Sequence, residues 1–468
     1  MRSLSSVRVP TALLKSGLLL TALAAACGPA EPTAEGEADL ETRARAIHER
    51  VITADTHDDI NPANFTAERN YTMDLPTQVT LPKMEAGGLD VAWFVVYVGQ
   101  GELTEEGYDE AYAQAVEKFD AIHRLTEEIA PERIELALTA ADVRRIVAEG
   151  KKVAMIGVEN GYSIGTDLSR VKEFADRGAR YMSLSHNGHS QLSDSNTGER
   201  DGVWLHGGLS DLGREVVAEM NRWGIMIDVS HPSKEANLQA IALSRAPVIA
   251  SHSSARTLND HSRNLDDEQL AAIAANGGVV QTVAFRSYVD AEKNAAHQDA
   301  VRALQEEVAA DMGFELVDRR TLFQMSEAER AAYQEAFAPV QAAVEARMDE
   351  VTAVAPPVDV ADFVDHVDYL VETMGIDHVG ISSDFDGGGG VTGWDDASET
   401  FGVTLELVRR GYTEEEIAKL WSGNLLRVLD EVQRVAREIQ AEEPAPEEEA
   451  SMAPAATGRR PIAIPRAP

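Results

Sequence analysis

Eight short apolar runs alternating with helical patterns restrict this chain more than any other feature. They fall at 51–54, 89–98, 153–158, 180–185, 224–229, 247–250, 278–285 and 378–382. Their near-continuous hydrophobicity is that of parallel strands covered on both faces, not of sheets with one wet face. Helices fit between most of them, as at 210–222. The α/β alternation predicts a (β/α)8 TIM-like barrel, with an open doubly wound sheet as the alternative.

Two helical regions carry further signals. Thr413 and Glu416 have capping-box spacing, and Ile417, Leu420, Trp421, Leu425, Leu429 and Val432 follow as one apolar stripe, predicting a final helix packed on the domain. A stretch at 290–354, rich in Ala and Glu, predicts a helical insertion before the eighth strand. Its second helix opens at Ser326–Glu329, with a stripe of Tyr333, Phe337, Val340, Val344, Met348 and Val351. Packing onto the barrel, an oligomer contact and a lid are all open for that stripe, and so is a homodimer.

The residues that follow the runs point to chemistry. The first run leads into Asp55-Thr56-His57-Asp58-Asp59 and the third into Glu159-Asn160-Gly161. His186 follows the fourth, Asp228 and His231 the fifth, His252 the sixth, and Asp384-Phe385-Asp386 the eighth. In a parallel barrel the C-terminal strand ends meet on one face, so these residues are expected to share one cup. Imidazole and carboxylate without thiolate suit zinc, or manganese or iron. In His57-x-Asp59, alternate positions of an extended chain point the same way and can reach one ion. One histidine after one strand means little; four of twelve, with acidic partners, form a pattern. His48, His123, His297 and His366 carry no such signal, and His189 and His206 are candidates for the pocket edge.

Composition narrows the alternatives. With 42 basic against 79 acidic residues the formal charge is -37, which argues against neutralising nucleic-acid phosphates and against attachment to anionic lipid by charge alone. A single cysteine, Cys27, excludes an intramolecular disulfide and any cysteine-built metal site. Arg2, Arg8 and Lys15, then the apolar residues 16–26, have the anatomy of a secretory signal, and the run is short of the roughly 20 residues that span a membrane. An uncleaved anchor, or cleavage leaving a free thiol, are the alternatives. Ala24-Ala25-Ala26-Cys27 resembles a bacterial lipobox, with alanine where leucine is usual three places before the cysteine. That implies a signal peptide over 1–26, lipidation at Cys27 and a mature protein exported to the bacterial cell envelope. Residues 27–40 read as a flexible tether, 41–440 as the catalytic barrel and 441–468 as a disordered acidic, Pro-rich tail.

Several blocks in order resemble the membrane (renal) dipeptidase family of zinc peptidases: DTHDD at 55–59, GVENGYSIG at 157–165, RYMSLSH at 180–186, MIDVSH at 226–231, PVIASHSSAR at 247–256, SRN at 262–264, VGISSDFDG at 379–387 and WSGNLLRV at 421–428. The resemblance implies two zinc ions per chain, one held by His57 and Asp59, the other by His231 and His252, with Glu159 bridging. Paired cations of this kind lower the pKa of a bridging water and polarise the scissile carbonyl. It further implies that His186 binds the carbonyl oxygen, Arg263 clamps the substrate carboxylate and Asp384 moves protons. The substrates implied are free dipeptides, including ones with a D-residue at the C-terminal position. Another small amide or lactone, or a non-catalytic metal-binding lipoprotein, are the rival readings. Three departures stand out: Asp58 where asparagine is common, expected to add negative charge; Asn160 and Tyr162 where the family often reads E-G-G-H; and a longer insertion. Tyr162 and the insertion are therefore expected to reshape the pocket.

Overall fold

The computed structural model describes residues 34–442. Nine strands are present among the described residues: β1 (Ala54–Asp59), β2 (Val91–Tyr97), β3 (Ile134–Leu136), β4 (Lys152–Glu159), β5 (Ala179–Ser183), β6 (Met226–Asp228), β7 (Ile249–Ala250), β8 (Val279–Val283) and β9 (Val379–Ser382). Eight pair in parallel in the order β1-β2-β4-β5-β6-β7-β8-β9. The ring is nearly closed: the Asp59 amide donates to the Phe385 carbonyl at 2.8 Å and the Ser383 amide to the Asp55 carboxylate at 2.9 Å. This is the TIM-like barrel. β3, which no apolar run announced, pairs only with β4 outside the ring.

The period-2 geometry of a strand sorts residues by function. On β2, Ala92, Phe94 and Val96 pack outward against the helices in the larger core, whereas Val91 and Trp93 join an inner core with Val153, Met155, Tyr181, Met226, Ile249 and Val279. Following the inward parity upward, β2 reaches Tyr97 and β4 passes through Gly157 to Glu159. The barrel interior is thus apolar at its base and polar at its mouth. Leu425, Leu426, Val428, Leu429 and Val432 of the final helix (Asn424–Glu442) close the base.

One glycine makes a site residue reachable. A Cβ on Gly157 would stand 2.0 Å from the Tyr181 ring. Its absence lets that ring cross the interior, where the hydroxyl lies 3.0 Å from His57 Nδ1.

The sequence-predicted caps form: Thr413 with Glu416 and Ser326 with Glu329 are both reciprocal capping boxes. The stripe after Thr413 is not one helix, however; a π-helical turn at Lys419–Gly423 separates Glu414–Ala418 from the final helix. Between β8 and β9 the insertion folds mainly as helices Ala291–Asp311, Glu327–Glu345 and Met348–Val354 around a small core of Leu304, Val308, Ala309, Val340, Val344 and Val351. The tether expected over 27–40 is helical from Ala34, in a helix running to His48. The signal peptide, Cys27 and residues 443–468 of the tail lie outside the described residues. Among the described residues no helix is long and apolar enough to cross a membrane.

Candidate metal centre

A cavity of about 610 Å³ opens at the mouth of the barrel, within the range of small-molecule sites. Its wall includes Asp59, Glu159, His186, His231, His252 and Asp384. Residues up to 325 positions apart in sequence meet there because every strand delivers its C-terminal end to this face. His57 and Asp59 lie on β1 itself rather than after it. The polar character of residues 55–59 hid the strand, since those side chains face the cup, not a hydrophobic core.

Glu159 is central. Its Oε2 lies 3.5 Å from His57 Nε2, while Oε1 lies 2.9 Å from His231 Nε2, 3.4 Å from His252 Nε2 and 3.8 Å from His186 Nε2. His57 Nε2 is also 3.8 Å from Asp59 Oδ2. Donor atoms of His57, Glu159 and His252, of Glu159, His186 and His231, and of His57, Asp59 and Asp384 each fall within 4.8 Å of one another. The buried His57 Nε2 has no hydrogen-bond partner, a costly state that a cation relieves. The converging nitrogen and oxygen donors fit divalent cations.

The electrostatics fit as well. Burial pulls His57 down, but Glu159, Asp384 and Asp59 outweigh it and hold the pKa up to about 9. Burial and Glu159 push Asp59 up to about 6, and burial with the neighbouring carboxylates raises Asp384 well above its usual range. Burial opposes Glu159's ionisation, yet His186 and His57 with the other imidazoles hold it well below the ordinary value. His231 and His252 are held well down by burial, Arg263 and neighbouring imidazoles, favouring the neutral form that ligates metal.

Outer hydrogen bonds orient two of the imidazoles. His57 Nδ1 meets the Tyr181 hydroxyl, which also lies 3.0 Å from the Thr56 carbonyl oxygen. With the tyrosine donating to that carbonyl, Nδ1 keeps its proton and Nε2 is the nitrogen that would ligate when a cation displaces its proton. His252 Nδ1 lies 2.7 Å from Ser251 Oγ, which donates to Asp228 at 2.6 Å. Asp228 is therefore a supporting residue. Among the described residues, the four non-glycine residues with positive φ are Asn160, His231, Asp384 and Asp386. All lie at the cup, where such strain marks functional geometry.

Several expectations need correction. Asp58 is fully buried, and burial with the neighbouring Asp55 and Asp386 raises its pKa well above the ordinary carboxylate value; the residue sits beneath the cup rather than on its wall. Tyr162 does not line this cavity; its hydroxyl donates to the Glu102 carbonyl at 2.6 Å and secures a neighbouring loop. Among the described residues, the insertion contributes none to the wall either. His189 and His206 bond to backbone at Ser195, Val203 and Ser190, bracing their own loop rather than edging the pocket. Arg263, the expected carboxylate clamp, is 4% exposed and lies beside the wall residue Tyr288. It donates to the His252 carbonyl at 3.0 Å, its Nε has no partner, and its guanidinium carbon is 5.4 Å from the Tyr288 ring centroid. Tyr288, Tyr97 and Lys118 line the cavity but went unread in the sequence.

Known proteins share this architecture. The probable dipeptidase PvdM from Pseudomonas aeruginosa is 32% identical, with a TM-score of 0.68 over 85% of this chain and 100% of that one. Dipeptidase aclJ of Aspergillus oryzae is 29% identical over 413 residues, 87% of this chain and 80% of that protein. Dipeptidase tcpJ of Claviceps purpurea is 29% identical over 370 residues, 78% and 72% of the two. Residues 41–443 match the family model for membrane dipeptidases, peptidase family M19. The chain belongs to that family.

Proposed function

We propose that this protein is an exported, zinc-dependent dipeptidase that hydrolyses the peptide bond of free dipeptides. The observation that carries the metal assignment is Glu159, whose two carboxylate oxygens face separate histidine sets. His57 and Asp59 with Glu159 would hold one zinc ion, and His231 and His252 with Glu159 the other. Two such ions supply Lewis acidity for the scissile carbonyl and make water nucleophilic at neutral pH.

The remaining steps belong to side chains. His186, on the wall beside Tyr97 with ring centroids 4.8 Å apart, donates a hydrogen bond to the carbonyl oxygen as negative charge develops there. Asp384, on the cavity wall with its carboxylate within 4.8 Å of donor atoms of His57 and Asp59, takes the proton from the attacking water and delivers it to the leaving amine. Arg263 keeps an unused Nε donor and clamps the free α-carboxylate once the Tyr288 ring swings from above it. The reading extends to a D-residue at the C-terminal position, a family expectation; with the α-carboxylate on Arg263, that residue would lie near Tyr288. Cys27, at the lipobox-like sequence, would anchor the mature chain to the bacterial envelope by lipid.

The test is hydrolysis of L-L and L-D dipeptides by the purified protein, with C-amidated and N-blocked controls, chelator and zinc add-back. Cleavage that needs zinc, fails on the C-amidated control and collapses in Arg263→Ala is the expected outcome. Stoichiometric zinc without dipeptide turnover would redirect the reading to another small amide or lactone.

A further inference from the structure

Lys118 is placed where a lysine is unusual. The helix Glu105–Arg124 buries Ala111, Ala115, Phe119 and Ile122 against the barrel, and Lys118 lies on that inward side. Its side chain reaches the cavity wall near Asp59 and Tyr97. The ammonium nitrogen sits 5.3 Å from the Tyr97 ring centroid. Burial lowers its pKa, and Asp59 and Glu159 partly restore it.

The absence of a partner is the informative feature. Eight lysines lie among the described residues, and Lys83, Lys151, Lys152, Lys172, Lys234, Lys293 and Lys419 all form ion pairs. Among the described residues Lys118 has none, although the chain carries 79 carboxylates. Asp59 and Glu159 are beyond ion-pair distance and turn their oxygens towards the histidines. A desolvated ammonium facing a ligand cavity retains its hydrogen-bonding capacity for an anion supplied from outside.

Its position relative to Arg263 selects which part of the ligand that is. Lys118 follows β2, and Arg263 lies in the loop after β7. In the ring order β1-β2-β4-β5-β6-β7-β8-β9 these strands are diametrically opposed. A dipeptide whose α-carboxylate is held at Arg263 and whose peptide bond lies over Glu159 directs its N-terminal residue towards Lys118. We propose that Lys118 is a specificity residue selecting dipeptides with an acidic side chain, Glu or Asp, at the N-terminal position. This rests on the dipeptidase reading above.

The experiment measures kcat/KM of the zinc-loaded protein on L-Glu-L-Ala, L-Gln-L-Ala, L-Ala-L-Glu and L-Ala-L-Gln. A charge-assisted contact predicts about a tenfold preference for L-Glu-L-Ala over L-Gln-L-Ala, and no matching preference for L-Ala-L-Glu over L-Ala-L-Gln. Lys118→Met is expected to bring the Glu/Gln ratio close to one, chiefly through KM, and Lys118→Arg to keep it above one. A wild-type protein without the Glu preference overturns the proposal. So does a Lys118→Met protein that slows on all four substrates with the ratio unchanged, since Lys118 would then act through Asp59. Turnover of none of the four by zinc-loaded wild type defeats the dipeptidase reading and the specificity proposal together.

Discussion

The cup at the barrel mouth and the helical insertion between β8 and β9 are built on opposite terms. In the cup, like charges crowd, His57 Nε2, His231 Nδ1 and Arg263 Nε are buried without partners, and all four positive-φ non-glycine residues of the described chain gather. In the insertion, among the described residues, there is neither an orphaned buried polar atom nor a positive φ outside glycine. Helices there start on side-chain caps at Asp290 and Ser326 and share an aliphatic core. The cup carries local strain for chemistry, whereas the insertion obeys ordinary packing rules. Substitutions should therefore separate activity from stability according to region.

The sharpest separation is expected at Asp384. Its carboxyl is buried, backbone-strained at φ 61 and crowded by Asp59 and Glu159. Asp384→Asn removes the proton carrier and relieves like-charge crowding. General acid–base catalysis contributes ~10²–10⁴-fold, so kcat should fall by that factor while the melting temperature holds or rises. Steady-state kinetics and calorimetry on one preparation decide it. A variant that loses activity only in proportion to lost folded protein would erase the contrast.

The converse change belongs in the insertion. Leu304, buried on the helix Ala291–Asp311 among Val308, Val340 and Val344, should cost about 2–4 kcal/mol of stability when truncated to alanine. The loss should be local, visible as faster hydrogen exchange over 291–354, and kcat/KM should stay within about twofold because the insertion supplies no cavity residue. A tenfold fall in kcat/KM with an intact fold would show that the insertion reaches the site after all.

Sequence made the two regions legible to different degrees. Seven of the eight ring strands and the insertion could be read, because apolar runs and capping patterns arise from local chemistry. The cup was legible as residue types after strands, and Glu159, His186, His231 and His252 do reach its wall. Three things were not. β1 was placed too early, since Asp55 to Asp59 are polar by function and break the apolar pattern a strand normally shows. Lys118 reads as a solvated helix position, because only the tertiary placement of the helix Glu105–Arg124 shows that it faces the cavity. Tyr162 is expected at the pocket because it stands in the segment where the family often reads E-G-G-H, while its ring is turned to the Glu102 loop by a turn opening at Asn160 with φ 75.

A smaller effect is expected beneath the cup, at His366. The histidine is buried on the helix Val360–Met374, between the loop carrying His252 and Arg263 and the short helix carrying Tyr288. The Ala255 amide donates to its Nδ1 at 3.1 Å, so the ring proton is on Nε2 and points to the Val289 carbonyl oxygen at 2.9 Å. Protonation of Nδ1 would forfeit the bond from Ala255. Burial lowers the pKa, against the opposing pull of the Val289 carbonyl, Asp365, Asp290 and Asp362. With the folded pKa below the unfolded value near 6.5, the unfolded chain binds more protons in that interval. Stability from this residue is present above about pH 6.5 and is lost as pH falls towards the folded pKa, by at most about 1.4 kcal/mol per pH unit. His366→Gln retains an acceptor and a donor without titrating, so its stability should fall less steeply between pH 7 and 5 than that of the wild type. Denaturant unfolding across that range measures the difference in slope, in which the titrations common to both proteins cancel. Identical slopes would mean that His366 takes up its proton without disturbing the Ala255 contact, and would leave the acid sensitivity of the molecule to the histidines of the cup.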